Sequence, residues 1–244
     1  MTGKELVALL RNSYLDDVKL PYLWEDPELL WFLNEAEDEA CRRANLIIDD
    51  STSNDSGTAG TASTAGQQSL CVLTVRAYQA KYTLSEKILQ IKRCQLSTMT
   101  APLDGPVSYS ELDEIMPCWM GTAGTILSNS YPCKFLNEPC NTITFVGAPS
   151  TNDTAYLVVS RLPLVKFTLD SSPEIGLKYH RQLCDWAAHL AFRKPDSDTL
   201  NLPLSKDYEA EFERNFGPLP TAKAERIMKT ISQKQRMRAR AFGS

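Results

Sequence analysis

Residues 51–69, STSNDSGTAGTASTAGQQS, contain no large apolar side chain. A run of this composition has nothing to bury, so it reads as a Ser/Thr/Gly/Ala linker or surface loop inserted between folded elements. It also separates two textures. Before it, apolar residues recur at helical spacing. After it come short β-branched runs punctuated by Gly, Pro, Asn and Asp, until helical spacing returns near residue 172.

The N-terminal segment predicts two helices. Thr2 with Glu5 three residues on forms a capping-box pattern, and Leu6, Leu9 and Leu10 supply one apolar side. Leu20-Pro21-Tyr22-Leu23-Trp24 breaks that helix. Asp26-Pro27-Glu28 starts the next, with an acid at the cap, proline in the first turn and negative charge toward the helix N-terminus. Leu29, Leu33, Ala36, Ala40, Ala44 and Ile47 continue it at spacings of three or four, which predicts a helix over 27–48.

Beyond the linker, 70–75, 88–96, 141–146 and 155–162 read as strands, with a short helix from Ser110 to Met116 and a turn-rich crossing at 97–131. Ser172-Pro173-Glu174 predicts a new helix start, with Ile175, Tyr179, Leu183, Trp186, Ala187 and Leu190 on its stripe. A last helix spans about 205–216, with Gly217 closing it. The fold class is therefore α+β. Residues 1–50 and 170–220 form a helical bundle, 70–169 an inserted small antiparallel β-sandwich, and 221–244 an extended or helical basic tail.

Charge is distributed unevenly along the 244 residues. The total is −4, yet Lys223, Arg226, Lys229, Lys234, Arg236, Arg238 and Arg240 face one acid, Glu225, over residues 223–240. That segment is +6, which leaves −10 on the body. Such a tail suits an acidic docking surface or nucleic acid. The 43% apolar content excludes a disordered chain, and no apolar run approaches the ~18 residues of a membrane span. With no leader pattern at Met1-Thr2-Gly3-Lys4-Glu5, the chain reads as soluble and made in cytoplasm.

The search for chemistry finds no phosphate loop, dinucleotide fingerprint, nucleophile elbow, zincin helix or calcium loop. Gly121-Thr122-Ala123-Gly124-Thr125 lacks the Lys-Ser/Thr that would reach a phosphate and reads as a turn. Seven irregularly spaced cysteines without a C-x-x-C read as packed thiols, not as zinc ligands. His180, Cys184, Asp185 and His189 crowd one helix, whereas nucleophilic catalysis needs groups converging from different elements. The acid pairs Asp16-Asp17, Glu25-Asp26 and Asp49-Asp50 sit at helix edges and read as structural. The expectation is no enzyme, no cofactor and no metal.

Residues 22–44, YLWEDPELLWFLNEAEDEACRRA, resemble the opening of tailed-phage head-to-tail adaptor (connector) proteins. Arg161-Leu162-Pro163-Leu164, Pro173-Glu174-Ile175 and Tyr179-His180-Arg181-Gln182-Leu183-Cys184-Asp185-Trp186-Ala187 resemble that family's strand end and following helix. The resemblance implies a structural virion protein at the head–tail junction, assembled in the host cytoplasm. Copies, about twelve, would form a ring below the portal and continue the DNA channel toward a tail or nozzle protein. Passing genomic DNA would touch the channel only transiently, and no membrane is involved.

Two residue sets carry this expectation. Lys223, Arg226, Ile227, Lys229, Ile231, Lys234, Arg236, Arg238 and Arg240 are the candidate portal-binding set, with Ile227 and Ile231 as buried anchors. Asp38 and Glu39 are the candidate channel-facing acids. The alternative reading is a non-specific nucleic-acid-binding protein acting through the basic tail. The tail's lack of stacking aromatics and the acidic body weigh against it.

Overall fold

The computed structural model describes residues 1–50, 70–117, 119–120, 132–138, 141–195 and 198–224. The 51–69 loop and the Gly121–Thr125 turn lie outside these residues. So do Cys118, Cys140 and the tail beyond Ala224. The chain divides into a helical unit, Met1–Ile47 with Arg161–Leu219, and a second unit that contains Ile48–Ser160.

The helical unit opens with α1, Gly3–Leu10. Its capping box is present in full: the Thr2 hydroxyl accepts from Glu5 N–H at 3.3 Å, and Glu5 accepts from Thr2 N–H at 3.0 Å. Gly3 is required by close approach, since a Cβ there would lie 2.3 Å from the Thr168 carbonyl oxygen. A π-helical turn, Arg11–Leu15, follows, and Asp16 leaves it in the left-handed region at φ 51. The long α2, Asp26–Ala44, buries Leu29, Phe32, Leu33, Ala36, Ala40 and Cys41.

This helix ends earlier than its apolar stripe predicts. Asn45 turns left-handed at φ 51, and Ile47 begins a strand, β1, Ile47–Asp50. Asn is one of the few residues that adopts this conformation at low cost, so it acts as the stop. The cap also differs from expectation. Glu25 holds the N-cap position, while the Asp26 carboxylate accepts from Arg11 Nη2 at 2.7 Å.

The return to helix differs more. The start expected at 172–174 is displaced to a 3₁₀ turn, Leu177–Tyr179, and then α4, Leu183–Arg193. The cause is a long-range bond: Glu37 Oε1 accepts the backbone N–H groups of Glu174, at 2.6 Å, and Ile175, at 3.2 Å. Those donors are held on α2 from the side, and the Glu174 carboxylate is itself bound to Arg161 and to Leu164 N–H. Helix α5, Leu202–Phe216, begins at Asn201, whose side chain accepts from Leu204 N–H, and ends at Gly217, φ 92. Helices α2, α4 and α5 share one core, built on Leu29, Leu33, Ala36, Leu183, Ala187, Phe212 and Phe216.

The second unit holds most of β1, most of β7 (Asp153–Arg161) and the elements between them: β2 (Val72–Val75), β3 (Lys81–Thr83), β4 (Ile88–Leu96), α3 (Tyr109–Ile115), β5 (Lys134–Glu138) and β6 (Thr142–Val146). Strand β7 is the hub of one sheet, pairing with β1, β2 and β4; Val72 lies opposite Tyr156 and Val75 opposite Asp153. The other sheet is antiparallel in the order β3-β6-β5, with Phe135 opposite Phe145. Val75, Ile91, Cys94, Leu157 and Val159 of the first sheet join Tyr82, Phe135, Ile143 and Phe145 of the second in one buried cluster. The short helix α3 is capped by Ser108, whose hydroxyl accepts from Glu111 N–H.

Candidate functional site

The four residues crowded at 180–189 are all in structural use. His180 Nε2 lies 2.9 Å from the Ile175 carbonyl, so it carries the proton, and Nδ1 faces the Met1 amino group at 3.1 Å. Burial pushes the Cys184 thiol up to about 12, far from a reactive thiolate. Burial likewise raises Asp185 to about 6, with Glu211 nearby adding to it. His189 Nδ1 lies 3.0 Å from the Ser205 carbonyl, and the Ser205 hydroxyl bonds back to the His189 carbonyl at 3.0 Å. That exchange ties α4 to the start of α5. Among the described residues, no three His, Cys, Asp or Glu converge to hold a metal ion. No described helix is long and apolar enough to cross a membrane.

The two acids singled out on α2 occupy different settings. Glu39 is buried, and its carboxylate accepts from Arg43 Nε at 2.8 Å and Arg42 Nη1 at 3.1 Å. Asp38 is half-buried and ion-paired with Lys166. Burying Glu39 requires the pair: an unpaired carboxylate at that depth would cost several kcal/mol, on the order of 3–5.

Arg43 links these acids to the origin of the tail. Its guanidinium lies 4.7 Å from the Trp186 ring centroid and 5.1 Å from that of Phe212, and it donates to the Gly217 carbonyl at 3.2 Å. Gly217 closes α5, and Pro218 and Pro220 follow. The C-terminal end of α5 is thereby fastened to the C-terminal end of α2. Residues 222–224 are helical, and the Thr221 hydroxyl accepts from Ala224 N–H at 3.2 Å, as an N-cap does. Lys223 is exposed on this turn. The other members of the basic set, Arg226, Ile227, Lys229, Ile231, Lys234, Arg236, Arg238 and Arg240, lie outside the described residues.

The match that decides the family spans nearly the whole chain: the model of the SU10 adaptor protein family covers residues 1–239. The chain belongs to the SU10 adaptor protein family. This agrees with the resemblance drawn from residues 22–44 and 161–187, and it makes the protein a phage adaptor with a structural role in the virion. No curated protein matches the chain.

Sequence reasoning overlooked one feature of this adaptor. The sequence predicts only a helix breaker before α2, yet this segment is a hydrogen-bonded loop with exposed apolar side chains. Asp17 is buried and bound to Arg11 at 2.5 Å. The same carboxylate accepts from the N–H groups of Leu23, at 3.1 Å, and Trp24, at 3.3 Å. Arg11 also donates to the Trp24 carbonyl at 2.8 Å and lies over the Tyr22 ring at 3.9 Å. Trp24 is buried edge-on to Phe192, while Val18, Leu20, Tyr22 and Leu23 remain exposed. The signal was the charge pair Arg11 and Asp17 just ahead of the loop, which has meaning only once the loop is closed.

Proposed function

We propose that this adaptor forms a ring below the portal, joins capsid to tail and continues the DNA channel, with residues 221–244 as the portal dock. Family membership over residues 1–239 carries the reading. The charge division supports it: a tail of +6 stands against a body of −10, so the tail can reach an acidic groove while the body repels its own copies in solution. Ile227 and Ile231, one turn apart, would be the anchors, with the bases at 223, 226, 229, 234, 236, 238 and 240 steering. Of the two α2 acids, Asp38 is the better candidate to face the channel, since it is the less buried, although ion-paired with Lys166; Glu39 is committed to Arg42 and Arg43.

Deleting 221–244 tests the dock. The truncated chain keeps its circular dichroism and melting transition but no longer co-sediments with purified portal rings. Unchanged affinity for the portal would reject the tail as the dock. The seven bases of the tail also favour a second reading, DNA contact without sequence preference. A titration against duplex DNA separates the two. Strongly salt-dependent binding with portal affinity unaffected by the deletion would support the DNA reading.

A further inference from the structure

Residues 172–182 are subject to two competing sets of hydrogen bonds. Ser172-Pro173-Glu174 reads locally as a helix start, with a hydroxyl at the cap and proline in the first turn. The donors that such a cap needs are engaged elsewhere. The N–H groups of Glu174 and Ile175 both go to Glu37 Oε1 on α2, at 2.6 and 3.2 Å, while Ser172 stays exposed. The turns that follow are overwound. Tyr179, His180, Leu183, Cys184 and Asp185 each donate to the carbonyl three residues back, and the Ile175 carbonyl faces His180 Nε2 at 2.9 Å. A 3₁₀ stretch of this length marks a hinge or a sequence under strain.

Local preference and tertiary contact disagree here, and Glu37 decides between them. Its side chain is buried, with 1% of the residue exposed, and no Lys or Arg pairs with it among the described residues. The charged and titratable groups around it are Asp38 and Cys41 on α2, Glu174 on the returning segment and Arg161 at the end of β7. Arg161 is taken by Glu174, and Lys166 by Asp38. A buried carboxyl left without a cation is held neutral, and ionisation draws it toward water.

We propose that residues 172–182 are a two-state helix start governed by Glu37. With the carboxyl neutral, Glu37 keeps both donors and α4 begins at Leu183. When the carboxyl loses its proton and withdraws, the Ser172 hydroxyl takes the same donors and α4 begins at Pro173. The Ile175 carbonyl then passes from His180 to the Tyr179 N–H, its α-helical partner. The switch lies where the chain returns from β7 to α4.

Backbone chemical shifts of the full chain, labelled with carbon-13 and nitrogen-15, test this between about pH 5.5 and 8.5. The Cα shifts of residues 173–182 move to helical values with a midpoint at or above about 7, while those of α5 stay fixed. Glu37→Gln, which keeps an acceptor oxygen but cannot ionise, holds the shifts at their low-pH values throughout. Ser172→Ala removes the competing cap and lowers the alkaline population about fivefold. Wild-type shifts that do not titrate, or a Glu37→Gln variant that titrates like wild type, overturn the switch. Loss of the α5 shifts in step with those of 173–182 also overturns it, since that is global unfolding. An alkaline form unaffected by Ser172→Ala overturns the exchange of donors.

Discussion

The side-chain amide of Asn34 and the backbone of Phe167 exchange two hydrogen bonds. Asn34 Nδ2 donates to the Phe167 carbonyl at 3.1 Å, and Phe167 N–H donates to Asn34 Oδ1 at 3.0 Å. Asn34 is buried in the middle of α2, and Phe167 lies on the segment that returns from β7. A side chain here completes the hydrogen bonding of buried backbone as a neighbouring strand would. Replacing Asn34 with Leu keeps the volume but orphans both backbone groups, at a cost of about 2–4 kcal/mol. Urea unfolding of the variant checks this, and a midpoint unchanged from wild type would show that water substitutes for the amide.

Glu37 makes stability depend on pH in the direction opposite to an ordinary surface acid. Burial pushes its carboxyl up to about 7, despite the two backbone donors that favour the charged form. Because the folded value lies above the unfolded one, its contribution is fully present below about pH 4.5 and is lost as pH rises through 7. Glu37→Gln removes the charge and keeps an oxygen for the N–H groups of Glu174 and Ile175. Melting curves of variant and wild type should diverge between pH 5 and pH 8 by on the order of 3 kcal/mol, with the variant favoured at the alkaline end. Parallel curves would place the titration elsewhere.

Asp17→Ala should be among the most damaging single changes outside the apolar core. It removes the partner of a buried arginine and the acceptor for the Leu23 and Trp24 N–H groups together, a loss of about 3–5 kcal/mol. Proteolysis should then cut first within residues 18–23, which lose their tie to Arg11. A variant that resists protease like the wild type would show that Asp26 alone holds Arg11 and the loop.

Thiol labelling offers a test that needs no mutation. Cys41, Cys71, Cys94 and Cys184 are buried, and burial raises the thiols of Cys94 and Cys184 to about 12. Cys133 is exposed. Under native conditions at neutral pH, iodoacetamide should modify Cys133 well before those four, as read by peptide mass spectrometry. Early labelling of Cys184 would mean that α4 opens locally.

Replacing residues 51–69 with a flexible Gly/Ser linker of about ten residues should leave the melting temperature within a few degrees, since loop-closure cost changes slowly with length. The stretch has little apolar area to contribute. A large drop would mean that it covers a neighbouring element.

Local chemistry was legible in the sequence and distant chemistry was not. The Thr2–Glu5 capping box, the β4 run from Ile88 to Leu96 and the Gly217 stop depend on neighbours in sequence, and each appears where expected. Ile47 fits a helical stripe equally well as a strand, so only the turn at Asn45 decides its state. The displaced start of α4 follows from Glu37, far away in sequence. Strands β3 and β5 are too short to show a period, although Phe135, Leu136 and Asn137 of β5 are all buried. The same limit hid the loop at 18–23. Its residues read as a helix breaker because their exposure is set by Asp17 and Arg11.

The helical unit is split in sequence by the β unit, and this orders events on the ribosome. Strands through Ser160 emerge while α2 still lacks α4 and α5, the helices that cover its apolar face. The nascent chain therefore carries an uncovered Leu29–Leu33–Ala36 stripe throughout synthesis of the insert, the kind of surface that chaperones bind. Completion waits for Phe212 and Phe216, the last core residues before Gly217. A ribosome stalled before them holds a protein with a finished β unit and an open helical one. Residues 221–244 are made only after that, so no copy can expose its basic tail before its own core has had the means to close.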